Sequence, residues 1–331
     1  MSGLTYGPPV PGMALLIENQ QGKKFLPVVK DGVSLAWERK GTPGLLRFTL
    51  LKEGDLSFQE GDRVKMSWNG YDMFYGFVFE KKRTSEGPEI DVVAYDQLRY
   101  FKNKDTYIAE SLSASELLQR IAGDFNLNLG SIEDTGYQIP LVEEDNQSLF
   151  DIVNNALDET VLKTGNLYIL YDDVGKITLK NASSMEIDLL IDDRSAQSFD
   201  YTSSIDKATF TRIKMTYDNK ETGKREVFKG ENQQRINEWG VLQFYQKRNT
   251  PEGAPQAVNT LLKLYGDKTR SLTIKGAFGD PQVRPGVRLK VHLSLGDQVI
   301  NQRLMVEKVT HTFEGVQHWM DLSLVGDGGF T

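Results

Sequence analysis

Two stretches far apart in the chain carry the same short pattern. Gly61-Asp-Arg-Val-Lys-Met and Gly286-Val-Arg-Leu-Lys-Val each open with glycine and then alternate charged and apolar positions. After a turn, the first continues through Phe77-Val-Phe-Glu-Lys to Ile90-Asp-Val-Val-Ala, and the second through Leu304-Met-Val-Glu-Lys to Trp319-Met-Asp-Leu-Ser. Glu80 lies 19 residues beyond Gly61, and Glu307 lies 21 beyond Gly286. Apolar residues at every second position mark a strand with one face buried. Each copy therefore reads as a Gly-led strand, a hairpin and a return strand. A duplicated unit predicts one strand order in both regions, Gly61 over Gly286 and Glu80 over Glu307. So short a pattern also arises independently in β proteins, and strand order decides between the two origins.

The rest of the chain fits around that echo. Residues 1–103 hold six or seven short segments rich in β-branched and aromatic residues, separated by turn signals; Asn69-Gly70 is the strongest hairpin signal among them. Near residue 111 the periodicity becomes helical. Ser113-Ala-Ser-Glu116 is a capping box ahead of Leu117, Leu118, Ile121 and Ala122, and a second helix runs from about Ser148 to Lys163, closed by Gly165. A hairpin follows, with its turn at Asp172-Asp-Val-Gly. Strands return after about 205, interrupted by one helix at about 254–270. The expected fold is β-rich α+β: an amino-terminal antiparallel β-barrel (1–103), a smaller α+β linking domain (104–200) and a similar carboxy-terminal barrel with an inserted helix (201–331). A length of 331 residues suits two or three domains.

Composition narrows the chemistry. With 39 basic and 46 acidic residues the net charge is −7, which leaves no global basic footprint for nucleic acid. The absence of Cys excludes disulfides, thiolate metal sites and cysteine nucleophiles. Met1–Pro9 has no basic region before an apolar stretch, so no leader is expected, and no apolar run approaches the ~20 residues that span a bilayer.

These residues resemble the tail-hub proteins of PBSX-like prophages and contractile-tail phages, the XkdQ/YqbQ-like family. The likeness is carried by Glu60-Gly-Asp-Arg-Val-Lys, Tyr75-Gly-Phe-Val-Phe, Ala94-Tyr-Asp-Gln-Leu-Arg-Tyr and the run from Gly286 to Leu324 with Val306-Glu-Lys-Val-Thr-His-Thr-Phe-Glu-Gly. It implies a non-enzymatic baseplate hub of a phage tail or tail-like bacteriocin particle, made in the bacterial cytoplasm and built into the particle. Two barrels per chain in a ring of three chains would adapt a sixfold tail tube to a threefold spike. The implied partners are further copies of the chain, the tail tube or its initiator, the central spike and other baseplate components, with no membrane and no specific nucleic acid.

Candidate chemistry is sparse, and no catalytic, cofactor-binding or metal-binding residue is assigned. The three histidines are His292, His311 and His318. A two-residue loop at Glu314-Gly315 would set His311 opposite His318; a three-residue loop ending at Gly315 would set it opposite Gln317. Either way, two imidazoles lack the third ligand of a catalytic zinc site. Glu143-Glu144-Asp145, Asp172-Asp173 and Asp192-Asp193 read as solvated loops, because adjacent strand residues face opposite ways. The basic groups Lys81-Lys-Arg83 and Lys102-Asn-Lys104 read as solvated faces, and Gly326-Asp-Gly-Gly as a flexible tail. The alternatives to a hub are a tail-associated peptidoglycan hydrolase and a glycan-binding tail protein. The β-α-α-β order of the middle region loosely resembles LysM modules, although at about 95 residues it is larger.

Overall fold

The computed structural model describes residues 12–326 except 84, 86, 207, 221, 249 and 297–298. Met1–Pro9 and the terminal run after Gly326, read above as leaderless and flexible, lie outside these residues.

The first strand set comprises β1 (Met13–Glu18), β2 (Lys24–Phe25), β3 (Val33–Glu38), β4 (Leu45–Leu51), β5 (Arg63–Trp68), β6 (Tyr71–Arg83) and β7 (Glu89–Tyr95). Asn69 and Gly70 both take positive φ between β5 and β6, as the two-residue hairpin turn requires. The pairing order is β2-β1-β5-β6-β7-β4-β3. Leu15 and Ile17 of β1 share one core with Val33 and Leu35 of β3.

The middle region contains β8 (Lys104–Ser113), α1 (Ala114–Asp124), β9 (Leu129–Ile132), β10 (Gln138–Ser148), α2 (Leu149–Thr164), β11 (Tyr168–Asp172) and β12 (Ile177–Asn181). The Ser113/Glu116 capping box forms as expected, and Gly165 ends α2 in the left-handed conformation. The apolar faces of both helices bury together with Ile177 and Leu179 of β12 in a separate core.

The second strand set comprises β13 (Glu186–Asp192), β14 (Ser198–Ser204), β18 (Thr269–Phe278), β19 (Arg288–Ser294), β20 (Val299–Glu314) and β21 (Gln317–Val325). Between β14 and β18 lie β15 (Arg212–Asn219), β16 (Lys224–Glu231), α3 (Gln233–Trp239), β17 (Gln243–Arg248) and α4 (Ala254–Tyr265). Two differences from the sequence reading stand out. The insertion is a three-stranded sheet, β16-β15-β17, with α4 packed on it through Ala257, Val258 and Leu261, together with the short α3. The helix ends at Tyr265, because Thr269–Phe278 pairs as β18 instead of prolonging it. Likewise β13 and the first three residues of β14, placed by sequence in the middle region, pair with β19 and β18.

The echo is real at the level of topology. Ranked by position in the chain, the six strands β1, β3, β4, β5, β6, β7 pair in the order 1-4-5-6-3-2, and so do β13, β14, β18, β19, β20, β21. Gly61 and Gly286 have φ of 87° and 88°. Gly61 N–H donates to the Val78 carbonyl while Val78 N–H donates to Asp62; Gly286 N–H donates to Val306 while Val306 N–H donates to Val287. The bulges match too, since register slips after Val78 in β6 and after Val306 in β20. This aligns Val78 with Val306 and Glu80 with Lys308, so the counterpart of Glu307 is Phe79. The sequence alignment of Glu80 with Glu307 is one residue out: Val78 lies 17 residues beyond Gly61 and Val306 lies 20 beyond Gly286, so the two hairpins differ by three residues and not by the two that pairing the glutamates assumes.

Candidate functional site

The two sets are joined edge to edge. β20 spans 16 residues: its first half pairs with β19, and its second half with β21 on one side and β3 on the other. The β3 pairing is antiparallel and runs from Lys308 opposite Glu38 to Phe313 opposite Val33. Across this seam Arg39 Nε reaches a Glu307 carboxylate oxygen at 2.5 Å, with the Arg39 side chain only 2% exposed, and Arg39 N–H donates to the Glu307 carbonyl. Lys308 pairs with Glu38. Trp37 packs against both cores.

His311 and His318 lie under the seam. The hairpin pairs Glu314 with Gln317 and Phe313 with His318, so the two-residue loop is Gly315-Val316. Neither expected register holds. Gly315 alone of the two loop residues takes positive φ, which suits a turn with glycine first, an option that avoids Glu in a strained position. The imidazoles meet diagonally, with His311 Nδ1 and His318 Nε2 2.8 Å apart, and His311 Nε2 lies 3.0 Å from the Val283 carbonyl. A carbonyl only accepts, so His311 carries its proton on Nε2 and its Nδ1 accepts from His318 Nε2–H. His318 Nδ1 is then the bare nitrogen, and it has no partner. Burial, reinforced by His318, pushes the His311 pKa down to about 3, and burial pushes His318 down to about 4. This is a neutral hydrogen-bonded relay walled by Trp37, Trp68 and Phe313. His292 is exposed on β19, away from the pair.

Next to Val283, a cavity of about 20 Å³ lies where all three regions meet. That is room for about one water. Trp37, Gly44 and Asp96 reach it from the first set, Tyr171 and Asp172 from the middle region, and Arg284 from the second set. Asp96 accepts from Gly44 N–H at 2.8 Å and from Leu98 N–H at 3.0 Å. A Cβ on Gly44 would sit 2.3 Å from the Asp96 carboxylate, so only glycine fits. Asp172 is 8% exposed and its Oδ2 has no partner, which corrects its reading as a solvated turn residue. Burial and the neighbouring Asp172 hold the Asp96 pKa well above the carboxylate range; burial raises Asp172 to about 6. Arg284 pairs with the exposed Asp173 at 3.1 Å and lies over the Tyr171 ring. The other acidic runs stay apart: Glu144 bonds Asn155, Asp145 bonds Thr106, and Asp192 binds its own turn. In the sequence Asp96 stands only within the run Ala94-Tyr-Asp-Gln-Leu-Arg-Tyr; it meets Asp172 because the middle region packs against the first set.

Comparison with known proteins follows the fold along its length. The family model described as YQBQ-like matches residues 33–325. The chain belongs to the YQBQ-like family. The phage-like element PBSX protein XkdQ of Bacillus subtilis is 32% identical over 314 residues, covering 91% of this chain and 94% of XkdQ. YqbQ of the same organism is 30% identical over 315 residues, covering 91% and 94%. Among solved structures, the 43 kDa tail protein of prophage MuSo2 from Shewanella oneidensis superposes with a TM-score of 0.71 at 10% identity, covering 96% of this chain and 98% of that one. The tail protein from Neisseria meningitidis gives 0.70 at 11% identity, covering 96% and 97%. The fold of this YQBQ-like chain is thus that of phage tail proteins, and among the described residues no helix is long and apolar enough to cross a membrane.

Proposed function

We propose that this YQBQ-like protein is the central hub of a contractile baseplate, a structural and non-enzymatic component of a phage tail or tail-like bacteriocin particle. The observation that carries the reading is the repeated strand order 1-4-5-6-3-2 within one chain. Each strand set is read as a barrel, and three chains with two barrels each present six similar units while keeping a threefold axis. Such a ring fits a sixfold tube on one face and a threefold spike on the other. The names of the relatives support it: a PBSX protein, prophage tail proteins, and an E. coli type VI secretion component whose description notes similarity to tail proteins gp27 and gp5. In this reading residues 13–95 and 186–325 are the two barrels, 96–185 link them, and 205–268 are an insertion in the second. The Asp96/Asp172 cavity, being water-sized, then serves as a joint between units.

Counting copies in intact particles by reconstruction and by mass tests this directly. Three copies around the axis are expected, with a monomer or weak oligomer for the isolated chain at micromolar concentration by light scattering. Two or six copies per baseplate, or clearing of a peptidoglycan zymogram by the purified chain, would overturn it.

A further inference from the structure

Each of the two strand sets leaves an edge that its counterpart uses. In the first set β3 pairs with β4 on one side and β20 on the other; among the described residues its counterpart β14 pairs only with β18. In the second set β20 runs past the start of β19 and lends that length to β3; its counterpart β6 runs past the start of β5 through Glu80–Arg83, and among the described residues no strand pairs with that length except β7. Within one chain the seam is the fifth strand of the second set against the second strand of the first. The complementary pieces, the fifth strand of the first set and the second strand of the second, are both present and both open. Open edges of this kind pair with another chain unless they are blocked.

From these edges we infer that the β14 edge of one copy pairs antiparallel with the Glu80–Arg83 end of β6 in a second copy, repeating the internal seam between chains. The register follows from residues already aligned. Val93 and Ala94 correspond to Ser323 and Leu324 through the matched bulges. Their partners on the next strand, Arg47 and Leu46, then correspond to Thr273 and Leu272. One strand further, Ser34 and Leu35 correspond to Asp200 and Tyr201. Lys308 opposite Glu38 becomes Glu80 opposite Ser204, and Thr310 opposite Ala36 becomes Lys82 opposite Thr202. His311 opposite Leu35 becomes Arg83 opposite Tyr201.

The chemistry of the two edges agrees with this register. Lys82 and Arg83 are exposed at the end of β6, while Asp200 is exposed on β14, on the same face as Thr202 and diagonal to Lys82. Opposite charges in that relation favour a strand pair. Arg83 meets the half-buried Tyr201 where the internal seam has His311 over Leu35. Each chain offers one acceptor edge and one donor end, a head-to-tail contact that closes into a ring when the rotation allows.

This inference rests on the hub reading, and its test separates the two. The chain has no Cys, so full-length Lys82→Cys/Thr202→Cys and Lys81→Cys/Ser203→Cys variants carry only the engineered thiols. Opposed residues alternate between hydrogen-bonded and closer open pairs, so one of the two variants holds the closer geometry. In assembled particles, oxidation of at least one variant should give a reducible ladder ending at three chains, which either single substitution lacks. In unmodified particles, a zero-length carbodiimide should join Lys82 of one chain to Asp200 of another, a link absent from the isolated monomer. Three copies per particle with neither a ladder nor that link would overturn the strand pairing and leave the hub reading standing. A ladder ending at two or six chains would overturn both.

Discussion

The two strand sets share their inner order and differ at their outer strands. β5-β6-β7-β4 and β19-β20-β21-β18 are antiparallel runs with the same bulge and the same left-handed glycine. Beyond them β1 is antiparallel to β5, whereas β13 runs parallel to β19. Between the second and third strands, the first set has residues 39–44 and the second has residues 205–268, enough for a sheet and two helices. Inner strands are bonded on both sides and packed on a core, so reversing one would undo two ladders and a buried face. An edge strand is bonded on one side only and tolerates reversal or a long insertion.

The sharpest way to separate the copies is the shared glycine. Gly286→Ala meets left-handed backbone strain and also Ile169 of the middle region, with Cγ1 2.7 Å from the new Cβ, whereas the nearest atom to a Cβ on Gly61 is the Gln20 side chain at 3.6 Å. Chemical denaturation should show a loss of about 3 kcal/mol for Gly286→Ala and about 1 kcal/mol for Gly61→Ala. Equal losses would mean that Gly286 does not bear on the middle region.

Glu307 is the bulged residue of the second set and Phe79 that of the first. Glu307→Ala leaves the Arg39 guanidinium buried at the seam without its carboxylate. A destabilisation of about 2 kcal/mol is expected, discounted because Glu307 is partly exposed. Glu307→Gln, which keeps an acceptor, should recover about half of it.

Acid response should belong to the second set, because the counterpart of His311 is Arg83. Both histidines have folded pKa values below the unfolded 6.5, so the unfolded chain binds protons first as pH falls. Their contribution is intact above pH 6.5 and is lost progressively down to about pH 4 and then 3, at about 1 kcal/mol per pH unit per histidine. Proton NMR should show neither His311 nor His318 titrating above pH 5, and His318→Phe should flatten the dependence of Tm on pH.

The smallest expected effect has the opposite sign. Asp172 has a raised folded pKa, so its penalty appears as pH rises from the unfolded value through about 6. Asp172→Asn should therefore add about 1 kcal/mol at pH 8 and nothing at pH 4. An unchanged Tm at pH 8 would place the charge elsewhere in the Asp96/Asp172/Arg284 group.

Local rules carried much of this fold into the sequence. The Asn69-Gly70 hairpin, the Ser113/Glu116 capping box, the Gly165 helix end and the paired glycines at 61 and 286 each depend on a few neighbouring residues, and sequence shows neighbours. Period-two alternation supplied the strands and, through the echo, their common order. Contacts between distant segments were not legible. Nothing local says that Glu186–Asp192 lies against Arg288–Ser294, that the stretch before α4 forms its own sheet, or that Asp172, an ordinary turn residue, is buried beside Asp96. Hairpin register failed for a smaller reason: Gly315 tolerates several turns, and only the packing of Phe313 and His318 on Trp68 selects one. The sequence alone determined the strands, their caps and their repetition, because these are set by backbone conformation and side-chain period. The seam, the histidine relay and the three-way joint were decided by tertiary structure, because each is made of groups whose burial exists only once the two sets meet.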